Sequence, residues 1–521
     1  MLTVADGSQQ GFFDATWCGD AVPRESFYGL LAEHGRRIVR DEDFAECYSC
    51  GQGRPSIAPS ILAKILLLAY RDGVSDERAM EQVRMHLGWK VALGLPLDHT
   101  GYHPTTLVKF RARLLLHGKE RLELERSVAL ATELGLMEGS AEQIVDSTPM
   151  LGAAATQDTV RLVRFGVRRV IEAVRACDHE AAGALERGLE FDYARPAQKP
   201  DCDWRTKAVR ERMLTRVAQD AERCLRAIGA EPEIAARPGV AEAAGLLRAL
   251  IGQDFEIDQE GVPRLRRGTA PDRIISVIDP EIRHGRKSSA VRFDGFKLHA
   301  SATAVGPSPI LTAIDVGSAR EHDGRKAPAL TDAQPAATRP RRILGDSAYA
   351  DQTTREDMRT RRIEVLAHVP SPAPRGQTLP KSDFTIDLGA ATVTCPAGAQ
   401  ATIPGRAQAS GERVARFAKA TCAACPILGR CSPSGRGRQI TINRREDLLI
   451  AGRRALDDPA AREHLRRTRP RIERLLGLLV GAYHARKSRY RGMRKAGLQA
   501  SFAAVLVNLN PIGAILRAQS A

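Results

Sequence analysis

Apolar residues recur at helical spacing in three parts of the chain. Residues 55–135 carry such stripes, with Ser75 placed to cap one helix and Pro104 placed to begin another. Residues 157–255 and the segment from about residue 457 onward have the same spacing, whereas residues 1–55 show no regular pattern. The chain is therefore predicted to be helical near both ends and across one internal segment.

Short apolar runs bounded by turn residues predict strands between these helical segments. They occur at Ile144–Val145, at 273–279 (RIISVID), at 293–305 and 308–316, before Asp346, and at 363–369. The turns between the middle runs favour an antiparallel meander. Residues 370–445 are instead rich in Pro, Gly and Cys. The pattern predicts an α/β protein with insertions.

A chain of 521 residues is too long for one ordinary core, so several domains are expected. The predicted units are an N-terminal helical domain at 1–135, a core at 136–156 and 271–370, a helical insertion at 157–270, a Cys-containing insertion at 371–445, and C-terminal helices at 446–521 that complete the core.

Charge points to a polyanionic partner. The chain has 78 Lys and Arg against 62 Asp and Glu, a net charge of +16, and the excess is dense between Ala461 and Lys495. High Ala and Arg usage throughout leaves a biased genome as an alternative cause. Neither a signal peptide nor a membrane span is predicted, so we expect a cytoplasmic protein without a membrane partner.

Two aspartates stand at corresponding places in the pattern. Asp146 follows the apolar run Ile144–Val145, and Asp346 follows Ile343, Leu344 and Gly345. Two carboxylates at the ends of neighbouring strands repel each other, and a divalent cation relieves that repulsion. Two Mg²⁺ ions held ~3.5–4 Å apart can promote an in-line phosphoryl displacement. The pair is therefore a candidate metal site.

A third carboxylate, Glu473, lies at the edge of a helical apolar stripe formed by Ile472, Leu475, Leu476 and Leu479. It can reach the sheet while those side chains are buried. The alternative is an ordinary surface ion pair between Arg469 and Glu473. Asp279, which ends the run RIISVID, is an alternative to Asp146, whereas Glu321, Asp323 and Glu356 are expected at helix ends or on the surface.

Five segments in order resemble the bacterial insertion-sequence DDE transposases. Three contain the acids: VDSTPMLG around Asp146, GDSAYADQTTRE around Asp346, and RTRPRIERLLG around Glu473. The other two are the helical stretch from PSILAKILLLAY to HPTTLVKFRARL, and GFKLHASATA followed by ILTAIDVGSAREHDG. The resemblance spans roughly residues 55–510, interrupted by the two insertions.

This resemblance implies an RNase H-like mixed-sheet catalytic domain behind an N-terminal DNA-binding domain. It makes Asp146, Asp346 and Glu473 the catalytic triad and the ligands of two Mg²⁺ or Mn²⁺ ions. The implied partner is double-stranded DNA, both the terminal inverted repeats of the element and the target. The implied activity is cleavage and strand transfer by a homo-oligomer associated with the bacterial nucleoid.

The sequence departs from the family signature Tyr-x2-Arg-x3-Glu-x6-Lys. Arg469 and Glu473 fit it, but Arg466 stands at the tyrosine position and Val480 at the lysine position. Lys487, two helical turns further on, is a candidate substitute phosphate contact. The departures leave two alternatives open: a decayed or repurposed DNA-binding protein, and a metal-dependent nuclease without strand transfer.

Other residues are candidates for binding rather than catalysis. Lys109, Arg111 and Arg113 lie on a predicted basic helix, and Arg466, Arg469 and Lys487 lie in the basic C-terminal segment. Plain helical packing is the alternative for the first three. Four cysteines, spaced C-x26-C-x2-C-x5-C, are a candidate structural Zn²⁺ site, with reduced, unliganded thiols as the alternative: Cys395, Cys422, Cys425 and Cys431. If the cysteine segment were the functional centre, the chain would be a zinc-ribbon regulator.

Overall fold

The computed structural model describes residues 2–3, 21–48, 55–138, 141–288, 290–369, 378–432 and 437–520. Residues 371–377, with which the predicted Cys-containing insertion begins, lie outside the described residues. The molecule is an α/β protein whose mixed sheet is joined to several groups of helices.

Within its described residues, the N-terminal part contains six α-helices: α1 (Phe27–Ile38), α2 (Pro59–Arg71), α3 (Asp76–Met85), α4 (Leu87–Leu93), α5 (Thr105–Leu116) and α6 (Leu122–Glu133). The expected helix starts are confirmed, since the Ser75 side chain accepts a hydrogen bond from the Arg78 N–H and Pro104 directly precedes α5. Helix α1 contradicts the expectation of an irregular start. Ser26 caps it, and Leu30, Leu31 and Ile38 bury one face, a short stripe within otherwise polar sequence.

Strand β1 (Glu142–Leu151) is followed by a largely helical segment with a separate core. Its elements are α7 (Thr159–Arg175), α8 (His179–Arg187), α9 (Lys207–Gly229), α10 (Pro232–Ala235), α11 (Pro238–Asp254), and the short hairpin of β2 (Phe255–Ile257) and β3 (Pro263–Leu265). Val167, Ile171, Val217 and Leu247 lie at the centre of this core, as the helical pattern predicted.

Four antiparallel strands make one half of the main sheet. They are β1, β4 (Arg283–Arg286), β5 (Arg292–Thr303) and β6 (Leu311–Ser318). β5 pairs with β1 along one edge, and with β4 and then β6 along the other. The predicted strand at 273–279 does not form, because its backbone bonds elsewhere: the Gln157 N–H donates to the Ile275 carbonyl, and the Gln157 side chain accepts from Val277.

Parallel strands complete the sheet on the other side of β1. After α12 (Ala327–Asp332) comes β7 (Arg342–Leu344), and after α13 (Gln352–Thr360) comes β8 (Glu364–Leu366). β7 runs parallel to β1, and β8 runs parallel to β7. Since the pairing of β7 with β1 covers only Glu142–Ile144, none of the described strands lies beside this edge of β1 beyond Ile144.

The cysteine-containing segment has a small core of its own. It comprises β9 (Thr385–Asp387), β10 (Thr392–Thr394), β11 (Gln400–Thr402), β12 (Arg413–Arg416), α14 (Lys419–Ala423), α15 (Leu428–Cys431) and β13 (Gln439–Ile442). β9, β10 and β11 form one antiparallel sheet, and β12 pairs with β13. Phe384, Val393, Phe417 and Ile440 are buried between them.

The chain ends in α16 (Glu446–Ala455), α17 (Pro459–Thr468), α18 (Pro470–Gly481) and α19 (Met493–Ser520). α19 packs between the sheet and the N-terminal helices. The buried Asn508 amide exchanges hydrogen bonds with Leu311 of β6 at 2.8 and 2.9 Å and donates to Ser127 of α6 at 3.1 Å. By length and composition α19 could cross a membrane, but 78% of its apolar window is buried inside the protein, as in the core helix of a folded domain.

Candidate active site

A cavity of about 470 Å³ opens beside β1 where β7 has ended. Four carboxylates line it. Three of them are the acids selected from the sequence, Asp146, Asp346 and Glu473, and the fourth is Asp323. The three predicted acids are far apart in the chain, so the fold has brought them to one place.

Asp146 lies in the middle of β1, which corrects the expectation that it ends a strand. β1 continues to Leu151 because β5 pairs with it as far as the Leu151–Gly295 partners. Asp146 is nevertheless at a rim, since β7 stops at Leu344, opposite Ile144. The Ser147 N–H donates to the Asp146 carboxylate at 2.8 Å and holds its orientation.

Asp346 follows β7 by two residues and begins a short 3-10 turn. Its carboxylate accepts a hydrogen bond from the Ala348 N–H at 2.9 Å, which caps that turn. Continuing the parallel register of β1 and β7, in which Ile144 faces Leu344, brings position 346 beside position 146. One aspartate thus lies on β1, and the other directly follows the adjacent parallel strand β7.

Glu473 belongs to the first turn of α18, which Pro470 begins as predicted. Ile472, Leu475, Leu476 and Leu479 are all buried, so the predicted apolar stripe is confirmed. The exposed Glu473 carboxylate lies 3.7 Å from the Arg469 guanidinium. The structure therefore contains both arrangements considered for Glu473, since its side chain lines the cavity and also forms the i,i+4 ion pair with Arg469.

The surroundings of Asp146 raise the pKa of its carboxyl group. Its pKa rises to about 6, chiefly because burial disfavours the charged form. The negative charges of Asp346 and Glu473 raise the pKa further, and the Ser147 N–H and Arg469 oppose them. A cation at this position would reverse the unfavourable interactions that Asp146 has with the other acids.

Hard oxygen ligands of this kind suit Mg²⁺ or Mn²⁺. In the described part of the chain, however, no three His, Cys, Asp or Glu side chains are drawn together closely enough to hold a single metal ion. The donor set fits a divalent cation, and Glu473 is paired with Arg469 in this structure.

Asp323 begins the short 3-10 helix Asp323–Lys326, which agrees with the expectation of a helix end, and it also lies in the cavity wall. It accepts hydrogen bonds from Ser147 Oγ and Lys297 Nζ, both at 2.6 Å. Burial raises the pKa of Asp323, but these two hydrogen bonds, together with the electrostatic effects of His299 and Lys297, outweigh that effect and hold the pKa below its usual value. No local sequence pattern indicated this contact, because Lys297 lies on β5 and Ser147 on β1.

His299 lies on the same face of the sheet, opposite Ser147 of β1 and Asp315 of β6. It is fully buried, and neither ring nitrogen has a hydrogen-bond partner within the described structure. Burial lowers its pKa well below the usual histidine value, although Asp323 and Asp315 act in the opposite direction. His299 is therefore neutral at neutral pH.

Asp279, the alternative to Asp146, does not line the cavity. It is buried, and its carboxylate accepts hydrogen bonds from the Gly492 N–H at 3.0 Å and the Glu281 N–H at 3.3 Å. Asp279 thus ties the end of the segment 273–279 to the residues just before α19, which is a structural role.

The basic residues predicted on α5 have three different surroundings. Lys109 is exposed. Arg113 lies over the Tyr48 ring, 4.1 Å from its centroid. Arg111 is buried, pairs with Asp76 and lies 4.9 Å from the centre of the Tyr490 ring. Arg111 therefore joins α5 to α3 and to the segment after α18, which are the surroundings that the plain-packing alternative describes.

The C-terminal candidates also differ in their surroundings. Arg466 is exposed and pairs with Glu463 at 2.7 Å, and Arg469 pairs with Glu473. Lys487 is exposed, and its backbone forms a parallel bridge with Leu151 at the end of β1. Of these three, Lys487 alone has no carboxylate in ion-pair contact among the described residues.

The four candidate zinc ligands surround one small cavity of about 30 Å³: Cys395, Cys422, Cys425 and Cys431. All four are free thiols. Burial raises the pKa of Cys431, and the other three cysteines act in the same direction. Like the carboxylates, these cysteines do not form a group of three or more close ligands that could hold a metal ion within the described residues.

Two family models match the chain, one near each end. A transposase domain of the DUF772 family matches residues 18–113, and a transposase DDE domain matches residues 394–512. Glu473 lies inside the second match, whereas Asp146 and Asp346 lie outside both. No curated protein and no solved structure matches the chain.

Proposed function

The chain belongs to the DDE transposases of insertion sequences, and from that premise we propose that it cleaves DNA at the ends of its element and joins them to target DNA. The carboxylate-lined cavity beside β1 is the proposed active site. The single observation that carries this proposal is the convergence of Asp146, Asp346 and Glu473 on that cavity from three distant segments.

The proposed catalytic core is RNase H-like. In its support, the sheet is mixed, Asp146 lies on β1, Asp346 follows the adjacent parallel strand β7 by two residues, and Glu473 comes from a helix packed beside them. In this assignment residues 136–156, 271–370 and 446–521 form the core. Residues 157–270 and 371–445 are insertions, and residues 1–135 bind the element ends.

Asp146, Asp346 and Glu473 are the proposed ligands of two Mg²⁺ or Mn²⁺ ions, which would supply charge neutralisation and an activated attacking oxygen. Glu473 must first leave Arg469, a partly exposed pair worth about 1 kcal/mol or less. The Ser147 N–H keeps the Asp146 carboxylate oriented, and Lys297 neutralises Asp323 so that the acids around the metals do not all repel one another.

Double-stranded DNA is the proposed substrate, both the terminal repeats and the target. Exposed Lys109 and Lys487 are retained as proposed phosphate contacts, with Arg113, Arg466 and Arg469 available once their present partners are displaced. The proposed active form is a homo-oligomer on DNA, associated with the bacterial nucleoid in the cytoplasm.

A structural Zn²⁺ is proposed for the cysteine segment, because four thiols surround one cavity within a small core. Metal analysis of protein purified without chelator should give one zinc per chain. Cys422→Ser with Cys425→Ser should lose that zinc, while Cys177→Ser with Cys202→Ser, which changes thiols outside the segment, should keep it. Metal-free intact protein would refute the assignment.

The activity is tested with DNA carrying the flanking inverted repeats, in Mg²⁺ or Mn²⁺. Intact protein should cut at the element end. Asp346→Ala should bind the DNA without cutting it, and Asp201→Asn, an exposed acid outside the cavity, should cut normally. Binding without cleavage by the intact protein would establish the decayed, DNA-binding alternative.

A further inference from the structure

The cavity has a basic end as well as an acidic one. Arg286, Lys287 and Arg486 line it together with the four carboxylates. Arg486 donates to the Pro149 carbonyl at 3.1 Å, and β4 pairs with β5 from Gly295, which faces Leu151, to Arg292, which lies past the end of β1. The three cations therefore lie toward Leu151, whereas Asp346 lies beside the first half of β1.

These three cations are not neutralised within the described structure. Among the residues it describes, Arg286 and Lys287 have no carboxylate in ion-pair contact, and Arg486 donates to Thr148 Oγ1 and the Pro149 carbonyl. Their neighbours on β4 differ: Arg283 pairs with Asp272 at 2.7 Å, and His284 contacts Asp294. Lys297 and Arg469, the other cavity cations, are already paired with Asp323 and Glu473.

We propose that Arg286, Lys287 and Arg486 form a phosphate-binding wall that holds the DNA backbone beside the scissile phosphate. Thr148 and Pro149, which Arg486 contacts, lie roughly 7–10 Å beyond Asp146 along the strand, and Arg286, opposite Arg292 of β5, lies further in the same direction. At ~3.4 Å per nucleotide, the wall therefore begins about two to three phosphates from the cleavage point and extends away from it. Such contacts fix the position of the strand without reading its sequence.

The inference rests on the proposed function for its substrate, but its test needs no cleavage. Binding of a DNA duplex of arbitrary sequence is measured in EDTA over a range of salt concentrations. Each lost phosphate contact lowers the slope of log K against log salt by about 0.9. Arg286→Ala with Lys287→Ala should therefore lower it by about 1.8 and weaken binding at 0.1 M salt by up to roughly 60-fold.

Arg212→Ala with Arg248→Ala is the matched control. It removes the same charge from exposed positions on α9 and α11, away from the cavity, and should leave the slope nearly unchanged. Arg286→Lys with Lys287→Arg keeps the charge and should bind like the intact chain. Two outcomes would overturn the proposed phosphate-binding wall. One is an equal slope of log K against log salt for the alanine variant and the intact chain, and the other is an equal decrease in slope for the alanine variant and the control.

A second measurement uses the intact protein alone. Duplex DNA should protect Lys287 from acetylation, whereas exposed Lys207 on α9 should be acetylated equally with and without DNA. Equal acetylation of Lys287 in both conditions would also overturn the proposal. An intact chain that binds through the wall but never cleaves DNA would leave this inference standing and remove the proposed function.

Discussion

Replacing Asp146 by Asn should abolish catalysis and yet stabilise the metal-free protein at neutral pH. The pKa of Asp146 is about 6 in the folded chain, against 3.8 as its ordinary value. A carboxyl group whose folded pKa is raised favours folding only while it is protonated, so stability is lost as pH rises through the window from about 4 to about 6. Asn is neutral at every pH and avoids that loss.

The magnitude follows from the shift. A difference of roughly two pKa units corresponds to about 3 kcal/mol above pH 7, and about half of that cost is already present at pH 5. The side-chain oxygen of the introduced asparagine can still accept the Ser147 N–H, so the substitution should leave the local hydrogen bond in place.

Unfolding is followed in EDTA by denaturant titration at pH 5 and pH 8, using the transition that contains the catalytic core. Asp146→Asn should be more stable than the intact chain at both, with the larger gain at pH 8. Asp201→Asn should show no such gain. Added Mg²⁺ should stabilise the intact chain more than the variant. A variant that is less stable at pH 8, or whose gain does not change with pH, would refute the reasoning.

Three further predictions concern other residues. Arg111→Ala should lower the free energy of unfolding by about 3 kcal/mol, because it removes a buried side chain and leaves the half-buried Asp76 without its partner. Lys109→Ala, at an exposed position, should instead weaken DNA binding at unchanged stability. The reverse pattern in denaturation and binding assays would contradict both placements. Arg469→Ala should tighten Mg²⁺ binding by at most about fivefold, since Glu473 is released, and calorimetry showing weaker binding would contradict this. His299→Leu should cost little stability at pH 8. As pH falls below about 6, the variant should resist unfolding better than the intact chain, because protonation of the unfolded histidine no longer opposes folding. Equal acid sensitivity of the two proteins in melting experiments would contradict this prediction.

Local patterns were sufficient where one segment determines its own structure. The stripe of α18, the caps of α3 and α5, and the strands at β1, β5 and β6 all appear where apolar spacing indicated them. The segment 273–279 has an equally apolar pattern and forms no strand. Backbone N–H and carbonyl groups of this segment are hydrogen-bonded to the side chains of Gln157 and Gln253, and a pattern within the segment cannot reveal such partners.

The candidate site shows the same division. Asp146, Asp346 and Glu473 were selected from short segments, and all three line one cavity. Asp323, Arg286 and Lys287 were not selected, because their place in the cavity depends on the register of β4, β5 and β1. Arg111 was selected for its charge, but the long-range contacts with Asp76 and Tyr490 determine its surroundings.

The most direct test of the central claim is a strand-joining assay. Element ends with a free 3′-hydroxyl are incubated with target plasmid, Mg²⁺ and either intact protein or Asp346→Ala. The account predicts covalent joining of the end to the target by the intact protein, and none by the variant. Cleavage of uncut ends with no joining of pre-cut ends would contradict a transposase and establish a metal-dependent nuclease.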